Sequence, residues 1–474
     1  MTPKKIAEFA LGPIAGAFLG FISLPIMAWF FTIEDIGRLA MLNVVTGFST
    51  LLFSLGLDQA YVREYHEVTN KPALFKVTLL PGLFLLLIAL GVLLCLDNLI
   101  SYWLFEIDSL QLSLFVAVAI LSTFIARFLS LILRMGDRGI AYSMNQMLPK
   151  LLLILIVGGY VLFSISSNIT TLLSANTAAI LSVCLFYSWI TRREWLAGFK
   201  ETINYAYLKS LLNFGVPLIF GGLAFWGLTA TDKVLLKQLS SFEQLGLYSI
   251  AVSLAAAATI FQSIFTIVWA PIVYKWAAAD EGLENINKVN RYVLLVVIIL
   301  FSLAGLFSWV VTLFLPDDYN AVQWIVIPCL GLPLLYTLSE TTVVGVGVTR
   351  RTGFAMVAAI LAFIVNLTGN YFFIPILGAT GAAISTCISF WVFLVLRTEF
   401  SIYLWKSLPR IALYTYTSLL VIGSVTNGIY GELYSFHFKI FWGLILISVL
   451  VFFKIEINNA FKFFTLKVIT KKKD

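Results

Sequence analysis

Long apolar runs follow one another along the chain, separated by short polar stretches. Fourteen such runs can be read, at 7–31, 39–62, 77–96, 111–133, 151–166, 169–190, 211–232, 247–274, 292–315, 325–348, 354–376, 382–396, 411–430 and 437–453. A helix of roughly 20 apolar residues crosses the hydrocarbon of a bilayer. The runs are continuously apolar rather than alternating with period two, which excludes a transmembrane β-barrel. The pattern predicts an all-α polytopic membrane protein with fourteen transmembrane helices.

Composition agrees. Hydrophobic residues are 60% of the chain, charged residues 12%, and mean hydropathy is +0.97. Soluble domains average about 45–50% apolar and about 25% charged. The net charge of +7 is unevenly placed. Arg38, Lys233, Lys237 and Lys439 fall on one set of connections and Arg127 falls inside a span. Every other Lys and Arg falls on the opposite set, which includes both termini. The positive-inside bias puts both termini in the cytoplasm. The basic excess is therefore a topology signal rather than a nucleic-acid footprint. A tail helix over 454–470, with Lys454, Lys462 and Lys467 and followed by Lys471 to Lys473, suits an anionic inner leaflet. The first span is too long for the apolar core of a removable signal peptide. Cys95, Cys184, Cys329 and Cys387 lie within or at the ends of spans without metal-ligand spacing, and His66 and His437 are the only histidines. Neither a disulfide framework nor a metal or other cofactor is implied.

The chain echoes itself. "FTIEDIGRLA" at Phe31–Ala40 returns as "SFEQLGLYSI" at Ser241–Ile250, aligning Gly37 with Gly246. In the same order Pro13 matches Pro217, Gly139 matches Gly353 and Ala178 matches Ala382. Each pair is separated by roughly 200 residues, as in transporters built from two related bundles. The offset covers an even number of spans, so both copies enter from the cytoplasm and the repeat is parallel. The domains expected are a six-helix bundle at 1–200, a second at 201–403, and at 404–474 an appended helix pair with the basic tail.

Polar residues inside the spans are the candidate chemistry. Arg127 lies about two helical turns inside its span, and Thr123, Arg127, Ser130 and Arg134 share one helical face. An arginine at that depth needs a cavity or a partner. Either it receives a phosphate with its planar fork, or it pairs with an acid to hold the bundle. Span two carries Asn43, Gly47, Thr50, Ser54, Asp58 and Tyr61 on one face, either a cavity wall or close packing through small residues. Asp232 and Lys233 end span seven and are both candidate cavity residues; adjacent residues diverge on a helix, so Lys233 is expected to snorkel outward and Asp232 to contact an ion or a sugar. Glu340, among Tyr336, Thr337 and Thr341, is a candidate for binding a coupling proton, or for serving as the counter-ion of Arg127.

The segments "FGVPLIFGGLAFWGLTATDKVLLKQLSSFEQLGLYSIA" at 214–251, "ARFLSLILRMGDRGIAYSMNQ" at 126–146 and "FTIEDIGRLAMLNVVTGFSTLLFSLGLD" at 31–58 resemble Wzx-type O-antigen and polysaccharide flippases. These form the polysaccharide-transporter branch of the multidrug/oligosaccharidyl-lipid/polysaccharide exporter superfamily. The resemblance implies a non-enzymatic flippase of the bacterial inner membrane, moving a polyprenyl-pyrophosphate-linked oligosaccharide to the outer leaflet. It further implies a coupling ion, proton or sodium, and polysaccharide polymerase and chain-length machinery as partners. It also points to Asp232. No nucleotide-binding G-x-x-x-x-G-K-[ST] occurs, so an ion gradient or lipid exchange is the expected drive. A multidrug or cation antiporter and a lipid II flippase of the same superfamily are the near alternatives. A membrane polymerase or acyltransferase would need larger loops bearing catalytic residues.

Overall fold

A computed structural model describes residues 3–96, 98–278 and 282–459. The expected tail helix beyond residue 459, with Lys462, Lys467 and Lys471 to Lys473, lies outside them. Among the described residues, eleven helices are long and apolar enough to cross a membrane. The number is twelve if the bent pair Phe242–Ala255 and Ala257–Thr266 is one span. Fourteen spans were expected, and two of these helices each cover two of them. One, Gly353–Leu404, is 52 residues long and non-helical at Gly378 (φ 53°, ψ −128°). The other, Ile411–Phe452, is 42 residues long and non-helical at Tyr434. Both breaks fall in the short gaps that separate those runs in the sequence.

The chain forms two compact units, Met1–Ile260 and Phe261–Asp474. This division by compactness is not the division of the repeat, at 200 and 403, which stands as a proposal about how the chain is duplicated. The first unit contains α1 (Pro3–Ala28), α2 (Ile33–Phe53), α3 (Leu57–Glu64), α4 (Lys71–Leu94), α5 (Leu99–Phe105) and α6 (Leu110–Met135). It continues with α7 (Gly139–Leu162), α8 (Ile169–Ile190), α9 (Arg192–Phe199), α10 (Tyr205–Leu239) and α11 (Phe242–Ala255). Helix α1 packs along α7, α2 along α11, and α6 against both α2 and α8.

The echoed glycines meet where α2 crosses α11. A Cβ on Gly37 would fall on the carbonyl oxygen of Phe242, and one on Gly246 on that of Ile33. The two helices thus touch through equivalent backbone, each glycine admitting the first residue of the other helix. Their N-termini match as well. Thr32 Oγ1 accepts from the Asp35 amide and Ser241 Oγ from the Gln244 amide, satisfying donors a helix start leaves unpaired. The sequence echo is therefore a reciprocal packing motif.

The second unit contains α13 (Gly282–Phe307), α14 (Val322–Cys329), α15 (Gly331–Thr342), α16 (Val344–Val348), α17 (Gly353–Leu404) and α18 (Ile411–Phe452). Helix α12 (Ala257–Ala278) runs across the boundary residue. Within this unit Trp269, Val273, Ile286, Val344 and Leu408 form a buried apolar cluster, α13 packs on α18, and α15 packs on α17.

Candidate functional site

In the first unit the polar stripe expected on one continuous helix is interrupted. Helix α2 stops at Phe53 and the chain passes through Leu55 (φ 53°) and Gly56 (φ 67°) before α3 begins. Only glycine fits at position 56. Its φ lies in the left-handed region, and a Cβ there would strike the Gly215 carbonyl. The break places Asp58 in the first turn of α3, where the helix dipole favours a carboxylate. There Asp58 Oδ2 accepts from Arg127 Nη2 of α6 at 2.9 Å.

The pair stands in a cavity of about 440 Å3. Asn43, Gly47, Thr50, Ser54 and Asp58 form one wall, and Thr123, Arg127 and Asn145 stand with them. Five of the six residues of the stripe therefore share a cavity although the helix carrying them breaks; Tyr61 is buried apart from it. The Thr50 and Thr123 hydroxyls donate to the carbonyls of Thr46 and Ala119 in their own helices, leaving their oxygens as acceptors. On α6 the expected face divides. Thr123 and Arg127 line the cavity, Ser130 is buried with its hydroxyl on the Arg127 carbonyl at 2.7 Å, and Arg134 is exposed near the Tyr142 ring.

A second cavity, of about 350 Å3, shares Asn43, Pro149 and Ile180 with the first. Lys150, Lys233 and Asn176 line it. The apolar run that begins at 151 leaves Lys150 in a connection, but α7 extends over Gly139–Leu162, so Lys150 stands near its middle. Its ammonium donates to the Gly16 carbonyl of α1 at 2.5 Å. The missed signal was the run "GIAYSMNQMLPKLLLILIVGG", helical throughout despite its polar first half. Lys233 does not snorkel away: it lines this cavity. Asp232 lies on the other side of α10, buried, accepting from the Tyr248 hydroxyl and from the Lys233 amide. The adjacent residues thus find different partners, and Asp232 is buried within the unit rather than turned outward.

In the second unit Glu340 is not the counter-ion of Arg127. Its Oε1 accepts from Arg397 Nη1 at 2.8 Å, and Asp58 fills that role for Arg127. Arg397 also donates to Ser339 Oγ at 2.7 Å. Its guanidinium lies 4.9 Å from the Phe393 ring centroid, a cation–π contact. The twelfth apolar run ends at 396, which puts Arg397 in the connection that follows. The helix continues to Leu404 because no Gly or Pro interrupts "FLVLRTEFSIYL". Among the described residues no cluster of His, Cys, Asp or Glu could hold a metal.

This is a multi-pass helical membrane protein in which polar groups converge on two adjacent cavities within one unit. Its fold is similar to that of a lipid II flippase, MurJ, in an inward closed conformation. The TM-score is 0.69 at 14% identity, covering 95% of this chain and 99% of that one. It is also similar to an inward-facing multidrug resistance MATE family transporter of the MOP superfamily. That match has a TM-score of 0.55 at 13% identity, covering 88% of this chain and 96% of that one. At such identities the likeness concerns the fold. No curated protein sequence matches the chain. A family model described as polysaccharide biosynthesis protein matches residues 4–277, more than half the chain, and the chain belongs to that family.

Proposed function

We propose that this protein is a flippase for a polyprenyl-pyrophosphate-linked oligosaccharide, an O-antigen, capsule or exopolysaccharide repeat unit. It moves this lipid across the bacterial inner membrane by alternating access, with both termini cytoplasmic. The observation that carries the reading is the polar cavity of the first unit, in a chain of the polysaccharide biosynthesis family. An Arg127–Asp58 pair beside Asn43, Thr50, Thr123 and Asn145 offers donors and acceptors together, which suits the hydroxyl-rich surface of a sugar. The lipid tail stays in the bilayer, and the binding energy needed is only that of the headgroup. A cation antiporter is disfavoured by the same residues. Among the described residues the one acid lining either cavity, Asp58 in the first, is neutralised by Arg127, while Lys150 and Lys233 add positive charge in the second. Asp232 and Glu340 are the groups proposed to couple a proton or sodium ion, each through exchange of its present partner.

The test is reconstitution of the full chain in vesicles with lipid-linked oligosaccharide, scoring movement by glycosidase accessibility. Wild type should flip the lipid. Arg127→Lys, which keeps the charge but loses the planar fork, should slow it, and Arg127→Ala should stop it. Efflux of an organic cation without any flipping would sink the proposal.

A further inference from the structure

Helix α9 follows the apolar run that ends at 190 and lies outside the spans. Leu196 and Phe199 are nevertheless exposed on it, which suits a membrane interface better than water. The helix is fixed in place. A Cβ on Gly198 would come within 2.9 Å of the Pro72 carbonyl oxygen, so α9 meets the first turn of α4 through backbone. Lys76 Nζ donates to the carbonyls of Phe199 at 3.1 Å and Glu201 at 2.7 Å. The Trp195 indole donates to the Ser188 carbonyl at 2.8 Å and meets the Phe199 ring edge-on. Held this way, α9 roofs a space that it does not fill. A slot of about 230 Å3 remains between α9, α4 and α6. Along α4 it runs from Lys76 to Leu83, about 10 Å of helix. Lys76 immediately precedes the apolar run 77–96, so the slot descends from headgroup level into the hydrocarbon. Leu79, Leu83 and Ile125 line it and are only half-buried. Walls around a void forfeit dispersion contacts, and water finds no partners among aliphatic side chains.

We propose that this slot seats one acyl chain of a bilayer phospholipid, in the leaflet that α9 faces, with the headgroup phosphate beside Lys76. The bilayer is the surface against which these spans already lie, and the slot is continuous with it in depth. Charge agrees with the occupant. Lys76 pairs with no acid among the described residues, since its two hydrogen bonds there go to carbonyls. The remaining N–H and the whole positive charge stand at the level of lipid phosphates. The chain fills the aliphatic slot below, and Trp195 and Phe199 cover it. The seated lipid therefore completes the packing of α9 onto the spanning helices, and the proposal requires neither transport nor a particular orientation of the protein.

The experiment places the full chain in phosphatidylethanolamine and phosphatidylglycerol vesicles carrying a trace of phosphatidylglycerol with a diazirine on one acyl chain. After illumination, labelled peptides are mapped by mass spectrometry. Label should concentrate on the peptides of α4 and α9 that line the slot. Leu79→Trp, which fills the slot, should lower that label about tenfold, since losing the burial of even two chain methylenes weakens binding that much. Leu87→Trp, on the exposed side of the same helix, should leave it unchanged. Ile125→Phe obstructs the slot from α6 and carries the test if Leu79→Trp folds poorly. Label spread evenly over outward residues such as Phe84, Leu87 and Ile88, or label in the slot that neither filling substitution lowers, overturns the seat. Displacement of the label by polyprenyl phosphate at a trace level, with excess unlabelled phospholipid having no effect, also overturns it and gives the slot to a polyprenyl tail.

Discussion

Breaking the buried pair of Glu340 and Arg397 one partner at a time should cost far more than removing both. The two side chains are 19% and 11% exposed and meet at 2.8 Å. Two unit charges about 2.8 Å apart attract by about 6 kcal/mol at an effective dielectric constant of about 20. Stranding one partner of a buried pair costs about 3–5 kcal/mol in practice. Glu340→Gln should sit at the upper end of that range, because a guanidinium cannot shed its charge. Arg397→Gln, which strands the Glu340 carboxylate, should cost an amount within the same range. The double variant leaves two neutral amides beside Ser339 and should lie within about 1 kcal/mol of wild type. The assay is the folded fraction surviving heating in detergent for the four proteins, arranged as a double-mutant cycle. Coupling of about 2 kcal/mol or more is expected for residues in direct contact. If the two single losses simply add in the double variant, the charges do not hold each other.

Other outcomes follow from the same structure. Gly246→Val drives a side chain into the Ile33 carbonyl and should destabilise by at least the roughly 1–3 kcal/mol of overpacking; thermal unfolding equal to wild type would refute the close crossing of α2 and α11. Tyr248→Phe removes a donor from the buried carboxylate of Asp232 and should cost about 1.5–3 kcal/mol, with Asp232→Asn in the same background restoring part of the loss; a Tyr248→Phe protein as heat-stable as wild type contradicts that bond. Cysteines at the exposed positions Trp103, Glu243 and Asp318 should label from outside, and those at Asp137, Lys200 and Glu284 only after permeabilisation; the opposite labelling at Lys200 would invert the topology.

By itself the sequence determined that the chain is helical and membrane-spanning, roughly where each span lies, and that Gly37 and Gly246 are related positions. These are local properties. Each span is set by the transfer free energy of a window of consecutive residues, and the repeat is visible as letters. It also placed Arg127, Asp58, Asn43 and Thr123 in spans, where a polar side chain must find water or a partner. The tertiary structure decided who the partners are. Asp58 and Arg127, or Glu340 and Arg397, are far apart in the chain and meet only because particular helices pack side by side, which no local spacing encodes. It also moved Lys150 and Arg397 from connections into helices, because a polar residue that finds a cavity or a partner can lie within a helix where a hydropathy window trims it away. Lys233 turned to a cavity and Asp232 to the Tyr248 hydroxyl for a related reason: the rotation of a helix about its axis is fixed by its neighbours, and the composition of the helix itself leaves it free.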